Sequence, residues 1–290
     1  MNMKQYIALA LSLMMTLTLL AGCAGAAPSS ETPSSNASTP APSSSIPAGE
    51  VKLKVLDESL QSEEYGIAFK KGNTELYGAV MSTLDEMLAD GAAAKIAEKW
   101  FGKDVVLKGE AVAKTALPAG KTKFVVGLDD SFPPMGFRNE KNEIVGFDVD
   151  LATEVAKRLG VELVLQPIDW SAKELELDSG NIDVIWNGLT ITDARKEAML
   201  LSRPYLANNQ VIVVPEGSAI QGKADLEGKK VAVQTGSSGE EALDKDPIAA
   251  KIASKIQVGD YVSAFQDLKT GRIDAVVVDE VVARYYVANN

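Results

Sequence analysis

The fold is decided by a buried strand that directly follows a helix, Gly180-Asn181-Ile182-Asp183-Val184-Ile185-Trp186, and by its echo, Gly271-Arg272-Ile273-Asp274-Ala275-Val276-Val277-Val278. In both stretches a glycine ends a helical pattern, one polar residue follows, and Ile-Asp begins an apolar run. Glycine commonly ends helices, so the echo alone is weak. Because similar elements surround both copies, however, the sequence predicts two similar α/β lobes with largely parallel strands.

Helix and strand patterns alternate outward from these two stretches. We predict strands at residues 54–56, 65–69, 123–128, 161–166, 182–186, 210–214, 229–234 and 275–278. We predict helices from Asn73 to about residue 88, at residues 92–101, 148–159 and 171–179, around Arg195, from Ser237 or Ser238, and at residues 261–269, with Asp148 as the cap of the third. Residues 51–102 would make a poor core alone, so we expect them to pack on the rest.

The composition excludes several classes of protein. The 290 residues carry 40 acidic and 29 basic side chains, a formal net charge of −11, which argues against a nucleic-acid binder. One cysteine and no histidine are present. Disulfide frameworks, imidazole zinc sites and nucleophiles with a histidine base are therefore excluded, and we expect neither a cofactor nor a metal ion.

The first 50 residues are interpreted as a secretion signal followed by a flexible linker. Lys4 precedes an apolar stretch, which is typical of a secretion signal over residues 1–22. The end of this segment, Leu20-Ala21-Gly22-Cys23, resembles the lipobox of bacterial lipoproteins, which implies cleavage before Cys23, acylation of its thiol with chains such as palmitate, and anchoring to the extracytoplasmic face of the cell membrane. An ordinary signal peptide with a chance cysteine is the alternative. Residues 23–50, rich in Ser, Pro and Ala, predict a disordered linker.

Three polar clusters each follow a predicted strand, where open α/β sheets bind ligands. They are Asp129-Asp130-Ser131-Phe132-Pro133-Pro134-Met135-Gly136-Phe137, Asn187-Gly188-Leu189-Thr190-Ile191-Thr192-Asp193-Ala194-Arg195, and Gln234-Thr235-Gly236-Ser237-Ser238-Gly239-Glu240. An arginine fork matches a carboxylate, and the free N–H groups at a helix start favour an anion. The third cluster lacks the lysine and spacing of a phosphate loop, so a carboxylate is the better ligand. A polar loop and a surface arginine are the alternatives.

Asp279 ends a predicted strand and precedes an apolar helix. It is either the N-cap of that helix or the partner of an ammonium group.

These stretches resemble the amino-acid-binding branch of the type II periplasmic solute-binding proteins, the receptors of ATP-driven (ABC) uptake systems. The resemblance covers residues 124–290, and its specific motifs are residues 146–151, 187–196 and 273–279. It implies an α/β fold of two hinged lobes that close on a ligand. The departures are Asn187 and Ala194, at positions where the family frequently has other residues.

The resemblance also implies site residues. In that family the helix arginine binds the ligand's α-carboxylate, the preceding turn holds both backbone charges, and the aspartate after the late strand binds the α-ammonium. These roles fall on Arg195, on Gly188, Leu189 and Thr190, and on Asp279. Asp129, Phe132 and Trp170 would enclose the ligand's side chain, and Gln234, Thr235, Ser237 and Ser238 would complete the carboxylate site from the other lobe.

The order of the chain differs from that family. Residues 58–102 look like the segment that closes the family's chain, here moved to the front, so we interpret the order as a circular permutation. Lobe 1 is then expected at residues 66–212, comprising the moved segment 66–102, a connector at 103–121 and a body at 122–212. Lobe 2 is expected at residues 51–65 plus 213–290. A gene fragment that joins one protein's tail to another's body is the competing explanation.

We therefore expect a membrane-tethered receptor that captures an L-amino acid and presents it to an ABC transporter permease. Asp129 and Asp130 at the side-chain end favour an amide or a cation, so glutamine, arginine and lysine are all candidates. The rival hypothesis is an enzyme, because cyclohexadienyl dehydratases resemble the same family. A sensor ectodomain is a third, less favoured, class.

Overall fold

The computed structural model describes residues 51–289; the predicted signal, Cys23 and the whole predicted linker lie outside that range. The helices in it are α1 (Thr74–Ala89), α2 (Ala92–Phe101), α3 (Phe147–Leu159), α4 (Lys173–Ser179), α5 (Asp193–Ala198), α6 (Ser238–Lys245), α7 (Tyr261–Lys269) and α8 (Glu280–Ala288). Its strands are β1 (Leu53–Phe69), β2 (Lys123–Leu128), β3 (Ser131–Phe132), β4 (Gly136–Arg138), β5 (Ile144–Val145), β6 (Glu162–Pro167), β7 (Val184–Thr190), β8 (Leu200–Leu201), β9 (Leu206–Pro215), β10 (Lys230–Gln234), β11 (Ser254–Val258) and β12 (Ala275–Asp279). The fold is α/β, as the alternating patterns predicted.

The main sheet has the order β11-β10-β12-β9-β1-β7-β2-β6, with β8 also paired to β1. Strands β10, β11 and β12 are mutually parallel, and so are β2, β6 and β7. Between these two parallel sets lie β1 and β9, which run antiparallel to each other and to their outer neighbours. Strands β3, β4 and β5 form a separate small antiparallel sheet.

The two parallel sets end near the middle of β1. Asp279, the last residue of β12, lies opposite Gln210 of β9, which lies opposite Gln61 of β1. Thr190, the last residue of β7, lies opposite Tyr65 of β1. Gln61 and Tyr65 are separated by about 13 Å of strand at ~3.3 Å per residue. The carboxyl ends of both parallel sets therefore point toward each other across a short gap.

Strand β1 is longer than the sequence indicated. Two short strands were expected in this segment, whereas the structure has one strand of 17 residues. Its register against β9 shifts between Val55 and Ser59 and again between Ser59 and Gln61. Such bulges let a strand bend while it stays paired, so a polar stretch without regular alternation can still be a strand.

The segment before residue 103 is part of the main core. The side chain of Asn73 caps α1 as expected, because it accepts a hydrogen bond from the backbone of Leu76 at 3.4 Å. Leu84 and Met87 of α1 share one buried cluster with Phe124 and Phe147. Because β1 is a central strand and α1 packs on α3, the segment packs on the rest of the chain, as its small size predicted.

Residues 103–122 contain neither helix nor strand, apart from a turn near Gly120, as expected of a connector. They are nevertheless fastened along their length. Val106 is buried in the main cluster, the backbone N–H of Leu107 donates to the carbonyl of Tyr205 at 2.8 Å, and that of Val112 donates to the carboxylate of Asp85 at 2.7 Å.

Two expectations about local structure were wrong. Helix α3 begins at Phe147 with Gly146 before it, and Asp148 is not its cap. The Asp148 side chain points into the core, where it accepts hydrogen bonds from the backbone of Gly188 and the hydroxyl of Tyr205, both at 2.8 Å. The strand predicted to end at Trp186 continues as β7 through Thr190, and all seven of its residues are buried. Strand β11 was not predicted. Four of its five residues are only partly buried and Gln257 is exposed, so the strand has no buried apolar run.

None of the described helices is both long and apolar enough to cross a membrane. The longest of those helices, α1, has 16 residues.

Replacing Asp148 tests how its burial affects stability. Burial raises the pKa of Asp148 from 3.8 to about 7. Between those values the folded protein binds a proton that the unfolded chain releases, so this group's contribution to the free energy of unfolding falls as the pH rises. The change amounts to at most about 4 kcal/mol, at ~1.36 kcal/mol per pH unit.

We expect urea denaturation of wild type and Asp148→Asn to show this difference. The stability of wild type relative to the variant should decrease between about pH 4 and about pH 7, and the variant should have the flatter pH profile. Asp193→Asn, at a side chain that is 96% exposed, is the control and should leave the wild-type profile intact. Parallel profiles for wild type and Asp148→Asn would contradict this account.

Candidate functional site

A small cavity lies where the strand ends meet. It is lined by Asp129, Phe132, Trp170, Asn187, Gly188, Thr190, Arg195, Gln234, Ser237, Ser238 and Asp279. These residues come from the ends of β7, β10 and β12 and from the segments that follow β2, β6, β7 and β10. This is the position at which open α/β sheets bind ligands.

Arg195 provides positive charge at the cavity. Thr192 caps α5 by accepting a hydrogen bond from the backbone of Arg195 at 3.2 Å, which places the arginine in the first turn of the helix. Its guanidinium is 6% exposed and donates to the carbonyls of Thr190 at 2.8 Å and Gly236 at 3.5 Å. Among residues 51–289 no carboxylate pairs with it. The guanidinium is therefore buried with its charge unmatched.

Asp279 provides negative charge at the same cavity. It occupies the N-cap position of α8, but its side chain makes no capping hydrogen bond. The carboxylate instead accepts from the hydroxyl of Tyr65 at 2.5 Å and the amide of Asn208 at 2.9 Å. Burial raises the pKa of Asp279 well above its usual range, and the carboxylate of Glu63 raises it further. Of the two roles left open by the sequence, the structure excludes the helix cap.

The sequence did not single out Lys173, a third buried charge. The ammonium of Lys173 is on α4 and donates to the carbonyl of Trp170 at 3.1 Å and to that of Gly236 at 3.0 Å. Burial lowers its pKa, and the neighbouring charge of Arg195 lowers it further. The ammonium also pairs with the carboxylate of Glu174 at 3.3 Å. A single lysine in a short polar helix gave no signal of this burial, because the carbonyl of Gly236 that covers it is distant in the sequence.

Asp129 is held by residues from both sides of the cavity. One oxygen accepts from the backbone and hydroxyl of Ser131 at 2.9 and 2.5 Å, and the other accepts from the amide of Gln234 at 2.6 Å. Burial raises the pKa of Asp129. Asp130, also expected near the ligand's side chain, does not line the cavity; it pairs with Arg138 at 2.6 Å.

Phe132 and Trp170 form apolar walls. Their side chains are 6% and 7% exposed, and the ring of Phe132 lies 5.9 Å from that of Tyr261. The ammonium of Lys173 lies 5.1 Å from the ring of Trp170.

The turn between β10 and α6 reaches the end of β7. Ser237 caps α6 by accepting from the backbone of Glu240 at 3.1 Å. The hydroxyl of Thr190 donates to the hydroxyl oxygen of Ser238 at 2.8 Å, and the amide of Gln210 donates to the same oxygen at 3.1 Å. The residues expected to flank the arginine are thus directly bonded to one another.

Gly188 requires glycine for two reasons. Its φ is +60°, and a Cβ there would lie 2.9 Å from the ring of Phe132. Its neighbour Asn187, noted as a departure from the family, does line the cavity, and its side-chain oxygen accepts from the backbone of Asp129 at 3.2 Å.

Two further expected residues, Leu189 and Thr235, do not line the cavity. The side chain of Leu189 is fully buried in a cluster with Trp170 and Ile185, because alternate residues of β7 face opposite sides of the sheet. The hydroxyl of Thr235 donates to the carbonyl of Val258 at 3.2 Å. The other ten expected residues are brought together. Within residues 51–289, no cluster of side chains suited to a metal ion is present.

Comparison with known proteins agrees with this geometry. Residues 124–251 match the bacterial extracellular solute-binding proteins, family 3. The arginine-binding extracellular protein ArtP of Bacillus subtilis is 34% identical over 174 residues, which are 59% of this chain and 67% of that protein. This chain belongs to family 3 of the bacterial extracellular solute-binding proteins. The L-cystine-binding protein TcyJ of Escherichia coli K12 is 37% identical over 161 residues, which are 55% of this chain but only 59% of that relative.

Solved structures give the same fold. An ancestral arginine-binding protein bound to arginine is 43% identical with a TM-score of 0.56, over 59% of this chain and 75% of that one. The same comparison holds for an ancestral arginine-binding protein bound to glutamine. The ancestral amino acid-binding protein AncCDT-1, a precursor of cyclohexadienyl dehydratase, is 34% identical with a TM-score of 0.55, over 58% of this chain and 74% of that one. The type II periplasmic binding-protein fold is therefore shared, and the relatives named here are binding proteins.

Proposed function

We propose that this protein is an extracytoplasmic receptor that binds the zwitterionic backbone of an L-amino acid. The observation that carries the proposal is the pair formed by Arg195 and Asp279. Both are buried, both line the same cavity, and within residues 51–289 neither has an ion-pair partner. Burying an unmatched charge costs several kcal/mol. A ligand with one carboxylate and one ammonium would match both charges at once.

The neighbouring groups support this orientation of the ligand. The α-carboxylate would accept from Arg195 and from the donors of Thr190 and Ser238, and the α-ammonium would donate to Asp279. Charge-assisted hydrogen bonds of this kind are stronger than those between neutral groups. Arg195 lies beyond β7 and Asp279 at the end of β12, in opposite parallel sets of the sheet.

We further propose that residues 66–212 and residues 51–65 plus 213–290 are two lobes hinged at β1 and β9. Four hydrogen bonds at the cavity join the two proposed lobes, and an open form would have to break them. They are Lys173 to Gly236, Arg195 to Gly236, Thr190 to Ser238, and Gln234 to Asp129. A ligand that touches both lobes binds the closed form better, and this difference in affinity can drive closure.

A polar or basic side chain fits the far end of the cavity. Asp129 offers a carboxylate beside the aromatic faces of Phe132 and Trp170, an arrangement suited to an amide or a guanidinium. Glutamine, arginine and lysine remain the candidates. The ancestral arginine-binding proteins solved with arginine and with glutamine support the same class. The proposed partner is an ABC transporter permease.

The rotated order of the chain is also a proposal. The family match begins at residue 124, after β1, α1 and α2, yet β1 is the central strand of the sheet. A C-terminal fragment of an unrelated protein would not be expected to pair with both β9 and β7 in the middle of the sheet. We therefore favour circular permutation, with residues 103–121 joining the original ends.

Substitution of the two charges tests the receptor. Arg195→Ala or Asp279→Ala leaves the opposite charge of the ligand unmatched, which should cost roughly 3–5 kcal/mol of binding free energy, on the order of a hundredfold or more in Kd. The matched controls are Arg138→Ala and Asp193→Ala on the surface, with side chains that are 40% and 96% exposed. Calorimetry that finds unchanged affinity in both site variants would disprove the proposed site.

The ligand for this titration comes from a thermal-shift panel of the twenty amino acids, since a ligand stabilises the folded state that binds it. Prephenate and arogenate turnover should be assayed alongside. Turnover of either compound, with no shift by any amino acid, would favour the dehydratase alternative over a receptor.

A rearranged chain tests the permutation. This variant begins at Thr122, continues to Asn289, passes through a flexible linker of on the order of ten residues to Val51, and ends at Lys121, so that the contacts of Val106, Leu107 and Val112 are kept. Because every contact of β1 can form again, we expect nearly the same melting temperature and ligand affinity. A truncated control with residues 122–289 lacks the central strand and should not fold. A well-folded truncated control would instead favour the gene-fragment explanation.

The lipid anchor at Cys23 is proposed from the resemblance of residues 20–23 to a lipobox. Cys23→Ser removes the thiol that acylation requires. We expect the wild-type protein to sediment with membranes and to incorporate labelled palmitate, and the variant to do neither. Equal membrane association of both proteins would refute the anchor.

A further inference from the structure

A second buried carboxylate, that of Glu63, lies directly beside Asp279. Both side chains are buried, at 8% and 3% exposure. The amide of Asn208 donates to Glu63 Oε1 at 2.7 Å and to Asp279 Oδ1 at 2.9 Å, so one amide group bridges the two. Glu63 does not line the cavity, and residue type alone does not distinguish it from the other charged residues of β1.

The hydrogen bonds around this acid pair, Glu63 and Asp279, leave one oxygen unmatched. Asp279 Oδ1 also accepts from the hydroxyl of Tyr65, and Glu63 Oε1 also accepts from the amide of Gln210 at 2.9 Å. Glu63 Oε2 is buried and has no hydrogen-bond partner among residues 51–289. An ionised oxygen without a donor is costly in such a place, whereas a protonated oxygen can donate to the neighbouring carboxylate.

No cation compensates the acid pair. Within residues 51–289 neither carboxylate forms an ion pair. The surrounding titratable groups are Tyr65 on β1, Tyr205 before β9 and Tyr261 on α7, with Asp129 and Arg195 across the cavity and Glu280 paired to Arg284 on α8. Burial raises the pKa of all three tyrosines well above 10, so they stay neutral near pH 7. Two carboxylates in contact without a cation cannot both ionise cheaply.

We propose that Glu63 and Asp279 share one proton in the ligand-free protein and that the ammonium of a bound amino acid displaces it. The ligand's N–H donates to Asp279, the proton leaves Glu63 Oε2 for the buffer, and both carboxylates become ionised. Binding therefore releases a proton and tightens as the pH rises. Glu63 acts through Asp279, as a positioning residue of the ammonium site. The binding part of this inference rests on the proposed amino-acid receptor, but the shared proton does not.

Calorimetry in buffers of different ionisation enthalpy measures the proton directly. The probes are L-arginine and L-glutamine, titrated between about pH 6 and about pH 8, where their own ammonium groups stay charged. Wild type should release up to one proton per ligand, with Kd falling by up to about tenfold per pH unit in the range where the pair titrates. Glu63→Gln keeps the shape of the side chain but has no proton to release, so its Kd should be nearly independent of pH.

Two controls isolate the acid pair. Glu64→Gln removes the same charge from the neighbouring, exposed residue of β1 and should behave as wild type. 5-Guanidinopentanoic acid, which is arginine without its α-amino group, should release no proton from any variant. Proton release that is absent in wild type, or equal in wild type and Glu63→Gln, would overturn the inference.

Infrared spectroscopy tests the shared proton without any ligand. The wild-type minus Glu63→Gln difference spectrum near pH 7 should contain the carbonyl stretch of a protonated carboxyl group, and its absence would overturn the inference. If neither amino acid binds but this band is present, the proposed receptor function fails while the shared proton stands. If the amino acids bind and the band is absent, the receptor function stands while the shared proton is disproved.

Discussion

The rest of the structure depends on the pairing of β1. This strand of 17 residues lies between β9 and β7 and is antiparallel to both. Because it is paired on both sides, it fixes where two oppositely directed sets of parallel strands stop. Thr190 ends β7 opposite Tyr65, and Asp279 ends β12 at the level of Gln61. Residues far apart in the chain meet at one cavity because their strands end there.

The cavity keeps charges that the protein leaves unmatched. Arg195 donates to backbone carbonyls, whereas Asp279 accepts from a hydroxyl and an amide. Neutral partners fix each side chain in place without cancelling its charge, so the free energy of burial remains available to a ligand of opposite charge. Glu63 also has only neutral donors, and its Oε2 has no partner. In our proposal this oxygen carries the shared proton, which lowers the cost of burying it. This distribution of charge supports the proposed zwitterion site, with Arg195 near Gly236 and Asp279 near Asn208.

Much of this arrangement could be predicted from the sequence. Helix α7 was predicted with its observed bounds, and the polar clusters after β2, β7 and β10 all supply residues to the cavity, because strand ends and helix starts have local signatures. The predicted cap at Asp148 was wrong, and the side chain of Leu189 lies outside the cavity. An aspartate can either cap a helix or accept hydrogen bonds in the core, and the residue type does not distinguish these roles. The side to which Leu189 points depends on β7 continuing through Thr190, which the sequence did not indicate. Lys173 and Glu63 were missed because their burial depends on partners more than 60 residues away.

The sequence by itself determined the α/β class, most of the elements, the family motifs and the charged residues that meet at the cavity. Those features depend on local periodicity, on glycine and proline positions and on residue type, which short windows of sequence contain. Only the tertiary structure decided that β1 is one central strand, that Asp279 is not a helix cap, and that Glu63 and Lys173 are buried charges. Each of these depends on long-range pairing and desolvation, because the environment of a side chain is set by the elements that pack around it rather than by its neighbours in the chain.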